Sequence, residues 1–467
     1  MRAPNVVSGA ILFAAVSSSC TVGPNYNKPL VVEPTVYRGA AAELSAKPDV
    51  ASFGDQKWWD VFQDEALQTL IRAALEQNYD VRIAATRILE ARALLGIAQA
   101  DQLPEVTASA SVFSQRSPAA AGRPAVDTSP VQLGLSASWE LDFWGRFRRA
   151  TESARANLLS DEWAQRQVIS SLVSDVASAY FQLREQDLEL EISRQTLASR
   201  RDSLRLTQVL ADGGATSLLD VRQAEQLVFG ASASIPDLES RIEQQENFIS
   251  ILVGRNPEGV MRGRPLIDQQ QPPEVPAGLP SSLLERRPDI LQAEQQLVAA
   301  NAQIGVAKAD FFPRISLTAI GGYQSSALAR LFTGPAGLWT FGASALQPVF
   351  EGGRIRNNVA FAEARTQEAT LVYQRTVQQA FRDVSDALVS YGKSREVRTE
   401  QQKLTTAAED ATRLSNMRYR GGAASYLEVL DSETRFFDAQ LNLAQAQLRE
   451  LQSLVQIYRS LGGGWQP

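Results

Sequence analysis

The 467-residue sequence contains no histidine and a single cysteine. Histidine is the commonest general base and the commonest metal ligand, so its absence excludes His-dependent triads and zinc sites built from Cys and His. One cysteine cannot form an intramolecular disulfide. A formal charge of −6 argues against a nucleic-acid-binding protein. We expect neither a metal nor another cofactor, although an enzyme based on paired carboxylates stays possible at this point.

Long hydrophobic runs are also missing. Beyond the first twenty residues no stretch of 18 apolar residues occurs, so no transmembrane helix is predicted. The apolar run 6–16 lies between Arg2 and three serines, which is typical of a signal peptide, and residues 1–19 are predicted to be one. Cys20 follows the serines, as in bacterial lipoprotein signals, and is predicted to carry a covalent lipid. Ser17 stands where such signals prefer leucine, and a plain signal peptide with an incidental cysteine is the alternative.

The sequence does contain a long internal repeat. Gly96 returns as Gly305 (305 − 96 = 209), and Gly145 returns as Gly353 (353 − 145 = 208). An offset held within one residue over so long a stretch indicates two copies of one structural unit. The predicted organisation is an N-terminal lipidated extended segment (20–56), a first repeat (57–270), a linker (271–280) and a second repeat (281–467).

Four segments alternate between apolar and polar residues with a period of two, which is typical of β-strands. They are residues 104–115 and 131–143 in the first repeat, and 313–324 and 338–350 in the second. At roughly 3.3 Å per residue, segment 131–143 would be about 43 Å long, enough to cross a bilayer when tilted. The sequence therefore predicts two membrane strands in each repeat.

The remainder predicts long helices arranged as hairpins. Residues 148–211 contain neither Pro nor Gly, which predicts about 95 Å of helix at 1.5 Å per residue. Apolar residues at alternating spacings of 3 and 4 after each glycine pair predict coiled-coil-like packing, with a bend at Pro236 in the first copy only. The pairs Gly213-Gly214 and Gly421-Gly422 are predicted to form the hairpin tips, where positive φ is needed.

Four strands cannot form a closed structure in a membrane. An open sheet would expose two edges of unpaired backbone groups to hydrocarbon, at several kcal/mol per group. The chain must therefore combine its strands with those of other copies. Two copies give eight strands and a filled interior, and three give twelve strands and a lumen. The residues alone do not distinguish three copies from four.

Four long motifs stand out, at residues 20–26, 58–67, 139–146 and 278–290, including Trp58-Trp59, Trp139 and Arg286-Arg287-Pro288-Asp289. These motifs resemble the outer membrane factor family of TolC-like exit ducts. The resemblance is to the lipoprotein branch that serves resistance-nodulation-division pumps. It implies a mostly α-helical protein with a membrane β part. Four strands per chain would form a 12-stranded β-barrel in a homotrimer, continued by a long periplasmic α-helical barrel.

The resemblance also implies a function. The protein would be the outer-membrane channel of a tripartite efflux pump, lipid-anchored and extending into the periplasm, and it would perform no chemistry. Its partners would be a periplasmic adaptor protein, an inner-membrane pump and outer-membrane lipid. One alternative is the exit duct of type I protein secretion or of metal-cation efflux. A carboxylate-dependent periplasmic hydrolase is the alternative from another class, and the strand-like segment 131–143 speaks against it.

Acidic residues follow both glycine pairs. Asp220 lies six residues after Gly214, Glu428 lies six residues after Gly422, and Asp431 lies one turn further. Three copies would place nine carboxylates around a narrow mouth, where like charges repel and attract cations. These acids are therefore candidate gate residues. The alternative is that Asp220 and Glu428 are ordinary acids near helix N-termini, where the helix dipole favours them.

The resemblance adds further candidates. It implies that a tyrosine three residues before the turn glycine helps to close the mouth, and Tyr419 occupies that position. Ala424 stands where the family's best-studied member has an arginine, so Arg418 or Arg420 is expected to supply the positive charge. The hairpin tips would contact the adaptor. Aromatic residues near the strand ends are expected to line the membrane interface rather than to stack on substrate. These are Trp139, Trp144, Trp339 and Phe350.

Overall fold

The computed structural model divides the chain into two compact units. Of the described residues, unit 1 comprises 21–30, 87–119, 122, 124–162 and 292–374, and unit 2 comprises 31–38, 52–86, 163–269, 275–276, 280–291 and 375–465. The predicted signal peptide, Cys20 and most of the predicted linker lie outside the residues that the structure describes. Within those residues, no helix has the length and apolar character needed to cross a membrane. The described residues are 21–38, 52–119, 122, 124–269, 275–276 and 280–465.

Most of the described chain is helical. The two longest helices, α4 and α8, have 67 residues each, or about 100 Å at 1.5 Å per residue, and they start 208 residues apart (354 − 146 = 208). The helices are α1 (Trp58–Val61), α2 (Glu65–Gln77), α3 (Tyr79–Ala100), α4 (Arg146–Asp212), α5 (Leu218–Val253), α6 (Pro280–Arg286), α7 (Pro288–Ala309), α8 (Arg354–Arg420) and α9 (Tyr426–Ser460).

Unit 1 contains an antiparallel four-stranded sheet with the order β1-β4-β5-β6. Each of the four segments with period-two alternation overlaps one of these strands, although β5 ends one residue beyond its segment and β6 starts one residue before its segment. The last strand ends at Leu346, two residues before Pro348, which has no N–H to donate to a ladder. A short hairpin of β2 and β3 lies in the loop after β1. The strands are β1 (Glu105–Val112), β2 (Gln115–Ser117), β3 (Val126–Thr128), β4 (Val131–Leu141), β5 (Arg314–Ser325) and β6 (Gly337–Leu346).

The central pair of strands joins the two repeats. Strands β4 and β5 pair along their full common length, from Val131 opposite Ser325 to Leu141 opposite Ile315. Strands β1 and β6 are the edges, and within the described chain each pairs on one side only. The sheet therefore ends in two open edges, one supplied by each repeat.

The described chain begins against unit 1. The Val22 N–H donates to the Trp144 carbonyl at 3.0 Å. Arg149 donates to the Asn25 side chain at 2.8 Å. Gly23 approaches Gly305 so closely that an added Cβ would lie 2.5 Å from the Gly305 Cα. These contacts hold the residues that follow Cys20 beside the end of β4.

Unit 2 is held by helix packing along α5 and α9. Most of the apolar positions that predict a seam on α5 are buried, and the helix continues through Pro236, which lies inside it. The bend at Pro236 stays a prediction. Phe62 packs edge-on against Tyr458, with 5.8 Å between ring centroids, and lies 6.3 Å from Phe181. The aromatic residues of α1 and its neighbours therefore anchor the start of the first repeat.

Candidate functional site at the two hairpin turns

The two helix hairpins end in turns of the same construction. Gly214 has φ +75 and Gly422 has φ +71, the left-handed conformation that favours glycine. In both turns the next residue donates its N–H to a carbonyl five residues back, as in a Schellman motif: Ala215 to Leu210 and Ala423 to Arg418, each at 2.8 Å. Positive φ is thus needed at the second glycine of each pair, and Gly213 and Gly421 precede it.

Asp220 belongs to the capping box at the start of α5, whose N-cap residue is Ser217. Its carboxylate accepts hydrogen bonds from the Ser217 N–H at 3.0 Å, from the Ser217 hydroxyl at 2.9 Å and from the Thr216 hydroxyl. The Ser217 hydroxyl in turn accepts from the Asp220 N–H, which completes a capping box. The hydrogen bond from Thr216 lowers the pKa of Asp220, against an opposing effect of burial, and the bonds from Ser217 add to the lowering. This carboxylate is therefore held locally as an anion.

Glu428 occupies the equivalent position on α9 but has a different partner. The Ser425 side chain forms no cap hydrogen bond. Glu428 instead forms an ion pair with Arg418 of α8, with 3.1 Å between Oε1 and Nε. Both side chains are about half exposed. The second turn is therefore bridged by opposite charges, where the first is capped by hydroxyl groups.

The remaining predicted charges at the second turn face solvent. Asp431 pairs with Arg435, one helical turn further along α9, at 2.8 Å, and both are largely exposed. Arg420 is exposed and has no ion-pair partner among the described residues. Isolated pairs of this kind contribute little to folding stability. Their charge stays available to ions and to other chains.

Tyr419 connects the two hairpins. Its ring packs edge-on against Tyr426, with 5.4 Å between centroids, and both belong to an apolar cluster with Ala224 and Val429. Burial raises the pKa of the Tyr426 hydroxyl, and the neighbouring Glu433 adds to the rise. The Tyr419 hydroxyl is buried and has no hydrogen-bond partner within the described chain. Of the predicted gate residues, Tyr419 is the one that the structure places in the packing between hairpins.

The sequence did not predict that two charged side chains, Arg200 and Glu433, are buried near the turns. Arg200 is buried, lies 5.0 Å from the centroid of the Phe437 ring and donates to the Leu227 carbonyl at 3.1 Å. Glu433 is also buried and accepts a 3.1 Å hydrogen bond from Ser203. Phe437 lies on the seam that the spacing on α9 predicts, but nothing in that spacing marks Arg200 or Glu433. These residues link α4, α5 and α9.

The predicted interface aromatics of unit 1 fall into two classes. The indole N–H of Trp139 donates to the Gln102 carbonyl at 3.0 Å, and that of Trp144 donates to the Pro313 carbonyl at 2.9 Å. Both are half-buried and anchored within the chain. Trp339 and Phe350 are 83% and 89% exposed. The second class has no such anchor and is exposed in the single chain.

The turns present charge and aromatic rings rather than a catalytic constellation. Within the described ranges, no group of three or more Asp, Glu, Cys or His side chains is placed to hold a metal ion. The acids at the turns have hydroxyl or guanidinium partners. Such an arrangement can attract or repel ions and can hold two hairpins together.

Known proteins resemble this chain over most of its length. A family model for outer membrane efflux proteins matches residues 70–255 and 279–463, which is most of the chain. The chain is 38% identical over 462 residues to the solvent efflux pump outer membrane protein SrpC of Pseudomonas putida, covering 96% of each. It is 33% identical over 453 residues to the cation efflux system protein CusC of Escherichia coli O6:H1, covering 97% of each. The solved structure of the outer-membrane channel OprN matches with a TM-score of 0.88 and 34% identity, covering 96% of this chain and 100% of that one. The chain belongs to the outer membrane efflux protein family.

Proposed function

We propose that this protein is the outer-membrane exit duct of a tripartite efflux pump. It passes small compounds, such as drugs and toxic organics, from an inner-membrane resistance-nodulation-division pump and a periplasmic adaptor to the exterior. The observation that carries the proposal is the full-length match to outer membrane efflux proteins. These relatives are transport proteins, so a periplasmic hydrolase or a protein-secretion duct is not favoured.

The open sheet of unit 1 supports assembly into a trimer. Its four strands alternate in direction, so β6 of one copy is antiparallel to β1 of the next when they pair. Three copies then give a 12-stranded antiparallel barrel without an edge, wide enough to leave a lumen. The long helices would continue this barrel as a periplasmic α-helical barrel.

Cross-linking tests the closure of the barrel. In a Cys20→Ser background, Ser109→Cys on β1 is combined with single cysteines at positions 341–343 on β6. Oxidation is expected to produce covalent dimers and trimers on denaturing gels. In the matched control, Thr318→Cys on β5 replaces the cysteine on β1. Thr318 lies opposite Gly342 of the same chain but on an inner strand, so it should not link two chains. Monomers throughout, or equal cross-linking of the control, would contradict the shared barrel.

The contacts of the N-terminal segment support a lipid anchor at Cys20. Thr21 lies so close to Gly145 that a Cβ on that glycine would be 2.6 Å from the threonine methyl group. Gly145 follows the end of β4 by four residues. Acyl chains on Cys20 would therefore start near the end of a membrane strand. Incorporation of labelled palmitate into the wild type but not into Cys20→Ala is the expected result, and equal labelling would refute the anchor.

We place the periplasmic mouth at the two hairpin turns. The predicted gate residues Asp431, Glu428 and Arg418 carry the exposed charge there, and Tyr419 carries the packing between hairpins. Asp220 contributes mainly as a helix cap, and Arg420 supplies an additional exposed cation. The glycine tips Gly213-Gly214 and Gly421-Gly422 are the proposed contacts for the adaptor.

Export from whole cells tests the function. The protein is expressed with a resistance-nodulation-division pump and its adaptor in a host that lacks its own outer-membrane duct. Accumulation of a fluorescent pump substrate is expected to fall in the presence of the wild type. Thr318→Pro is the control, because proline removes a ladder hydrogen bond from a central strand and should prevent barrel formation. Unchanged accumulation with correctly inserted wild type would overturn the proposal.

A further inference from the structure

Unit 2 contains an aromatic groove that the proposed duct function does not use. Its volume is about 600 Å³, within the range of small-molecule sites in proteins. It is formed by α1, α2, α4 and the segment after α9, and its lining is predominantly apolar. The lining residues that matter are Trp58, Trp59, Arg72, Leu75, Ile169 and Trp465.

Three cationic side chains lie over the indole rings of this groove. Each is within the distance at which a cation interacts favourably with an aromatic face. Arg72 is itself part of the lining. The distances from cation to ring centroid are 5.8 Å for Arg72 and Trp58, 4.9 Å for Lys57 and Trp59, and 5.3 Å for Arg166 and Trp465.

None of these three cations forms an ion pair with a carboxylate of the described residues. Arg72 donates a hydrogen bond to the neutral Gln68 amide oxygen at 3.1 Å. Other cations of unit 2 behave differently: Arg287, for example, pairs with both Asp289 and Asp383. Three cations without a carboxylate in ion-pair contact therefore lie beside one apolar groove.

We propose that the groove binds a small aromatic carboxylate. Trp59 and Trp465 are only half-buried and provide indole surface against which a flat aromatic ring packs favourably. The guanidinium of Arg72 or Arg166 provides a charge-assisted hydrogen bond to the carboxylate. A neutral aromatic molecule would lack the second interaction, and a saturated carboxylate would lack the first. The ligand class follows from the combination of the two.

Calorimetric titration of the full-length protein in detergent with 2-naphthoate tests the site. Titration into protein-free micelles corrects for partitioning. We expect saturable binding with one site per chain, and at least about tenfold weaker binding of the neutral match 2-naphthylmethanol, which loses the charge-assisted bond. Cyclohexanecarboxylate should also bind more weakly. Equal affinity of the naphthoate and the alcohol would show an apolar groove without charge recognition and would overturn the proposal.

Substitutions locate the site. Arg72→Gln combined with Arg166→Gln is expected to weaken naphthoate binding by about tenfold or more without changing the binding of the alcohol. Arg82→Gln is the matched control, because Arg82 also lies over an aromatic ring of unit 2, 5.3 Å from the Tyr79 centroid, but away from the groove lining. If the double variant does not fold, the ionic-strength dependence of the wild type decides: naphthoate binding must weaken with salt and alcohol binding must not. Naphthoate affinity that is insensitive to both the variants and salt would refute the site.

Discussion

The Tyr180 hydroxyl donates a 2.9 Å hydrogen bond to Oδ2 of Asp64, a carboxylate that is only 2% exposed. The same oxygen accepts from the Arg264 N–H at 2.8 Å and from the Gln269 side chain at 2.9 Å. The other oxygen caps α2 through the Ala66 N–H at 2.9 Å. One buried carboxylate thus ties α2, α4 and the segment after α5 together within unit 2.

We expect Asp64→Asn to destabilise the protein by about 3 kcal/mol, because an amide nitrogen cannot accept the bonds that converge on Oδ2. Tyr180→Phe removes one donor and should cost about 2 kcal/mol. Asp60→Asn, an exposed acid on α1, is the control and should have little effect. Thermal unfolding in detergent provides the measurement. Equal midpoints for Asp64→Asn and Asp60→Asn would contradict the anchoring role.

Asp64 should make the folding stability fall at acid pH. Burial alone would raise the pKa of Asp64, but the hydrogen bonds from Gln269, Tyr180 and Arg264 outweigh it and lower the pKa below its ordinary value of 3.8. The ionised carboxylate therefore stabilises the folded protein above that value. This stability should be lost as the pH falls through the lowered pKa. In Asp64→Asn the loss at acid pH should be smaller than in the wild type.

Glu185 should give the opposite dependence on pH. Burial raises the pKa of Glu185 from 4.5 to about 8, and the buried neighbour Glu189, one helical turn away on α4, adds to the rise. The unfolded chain loses this proton above about pH 4.5, whereas the folded protein keeps it until about pH 8. Folding stability should therefore fall between these two values. Gln445 of α9 donates to Glu189 at 3.2 Å, which keeps the pair within the packing.

Glu185→Gln should remove this loss. The amide mimics the protonated acid, so the variant should unfold at a higher temperature than the wild type at pH 8, and the two should converge near pH 4. Glu191→Gln, an exposed acid on the same helix, should follow the wild type at every pH. Melting curves measured from pH 4 to 9 provide the comparison. Parallel curves for wild type and Glu185→Gln would show that Glu185 is ionised in the folded protein.

Alanine at the second turn glycine should strain the backbone without a clash. A Cβ on Gly214 or Gly422 meets no atom within 4 Å, so the cost is that of the left-handed conformation alone, about 1–2 kcal/mol. Gly230→Ala inside α5 should instead stabilise by about 0.5–1 kcal/mol, because that position is also open and has ordinary helical geometry. Opposite shifts in the unfolding midpoint are expected. A neutral Gly214→Ala would mean that the turn adopts another conformation.

The charge at the second turn should control ion selectivity. Arg418→Gln removes a cation beside Glu428 and should make the channel more cation-selective, and Asp431→Asn should make it less so. Neither should change folding stability much, because both ion pairs are exposed. Reversal potentials of single channels in planar bilayers under a salt gradient measure the effect. Arg413→Gln, further from the turn on α8, is the control. An equal shift of the reversal potential in this variant would show that the second turn does not form the mouth.

Part of the difference between the two turns is readable from the sequence. In the repeat, Leu210 of the first copy corresponds to Arg418 of the second, and Thr216 corresponds to Ala424, both at the 208-residue offset. The first turn therefore has a hydroxyl donor for its acid, and the second turn has a cation instead. The strand segments and glycine turns were predictable for a similar reason: each depends on residues that are close in the chain.

The long-range polar contacts were not predictable. Tyr180 and Asp64 are 116 residues apart, and Gln445 and Glu189 are 256 apart. No local pattern distinguishes these side chains from the many exposed acids and amides of the same helices. The sequence by itself determined two repeats, each with two membrane-length strands and one hairpin of long helices, because periodicity and turn chemistry act over a few residues. Only the tertiary structure decided which charged side chains are buried together, because that depends on which helices become neighbours and which faces they share.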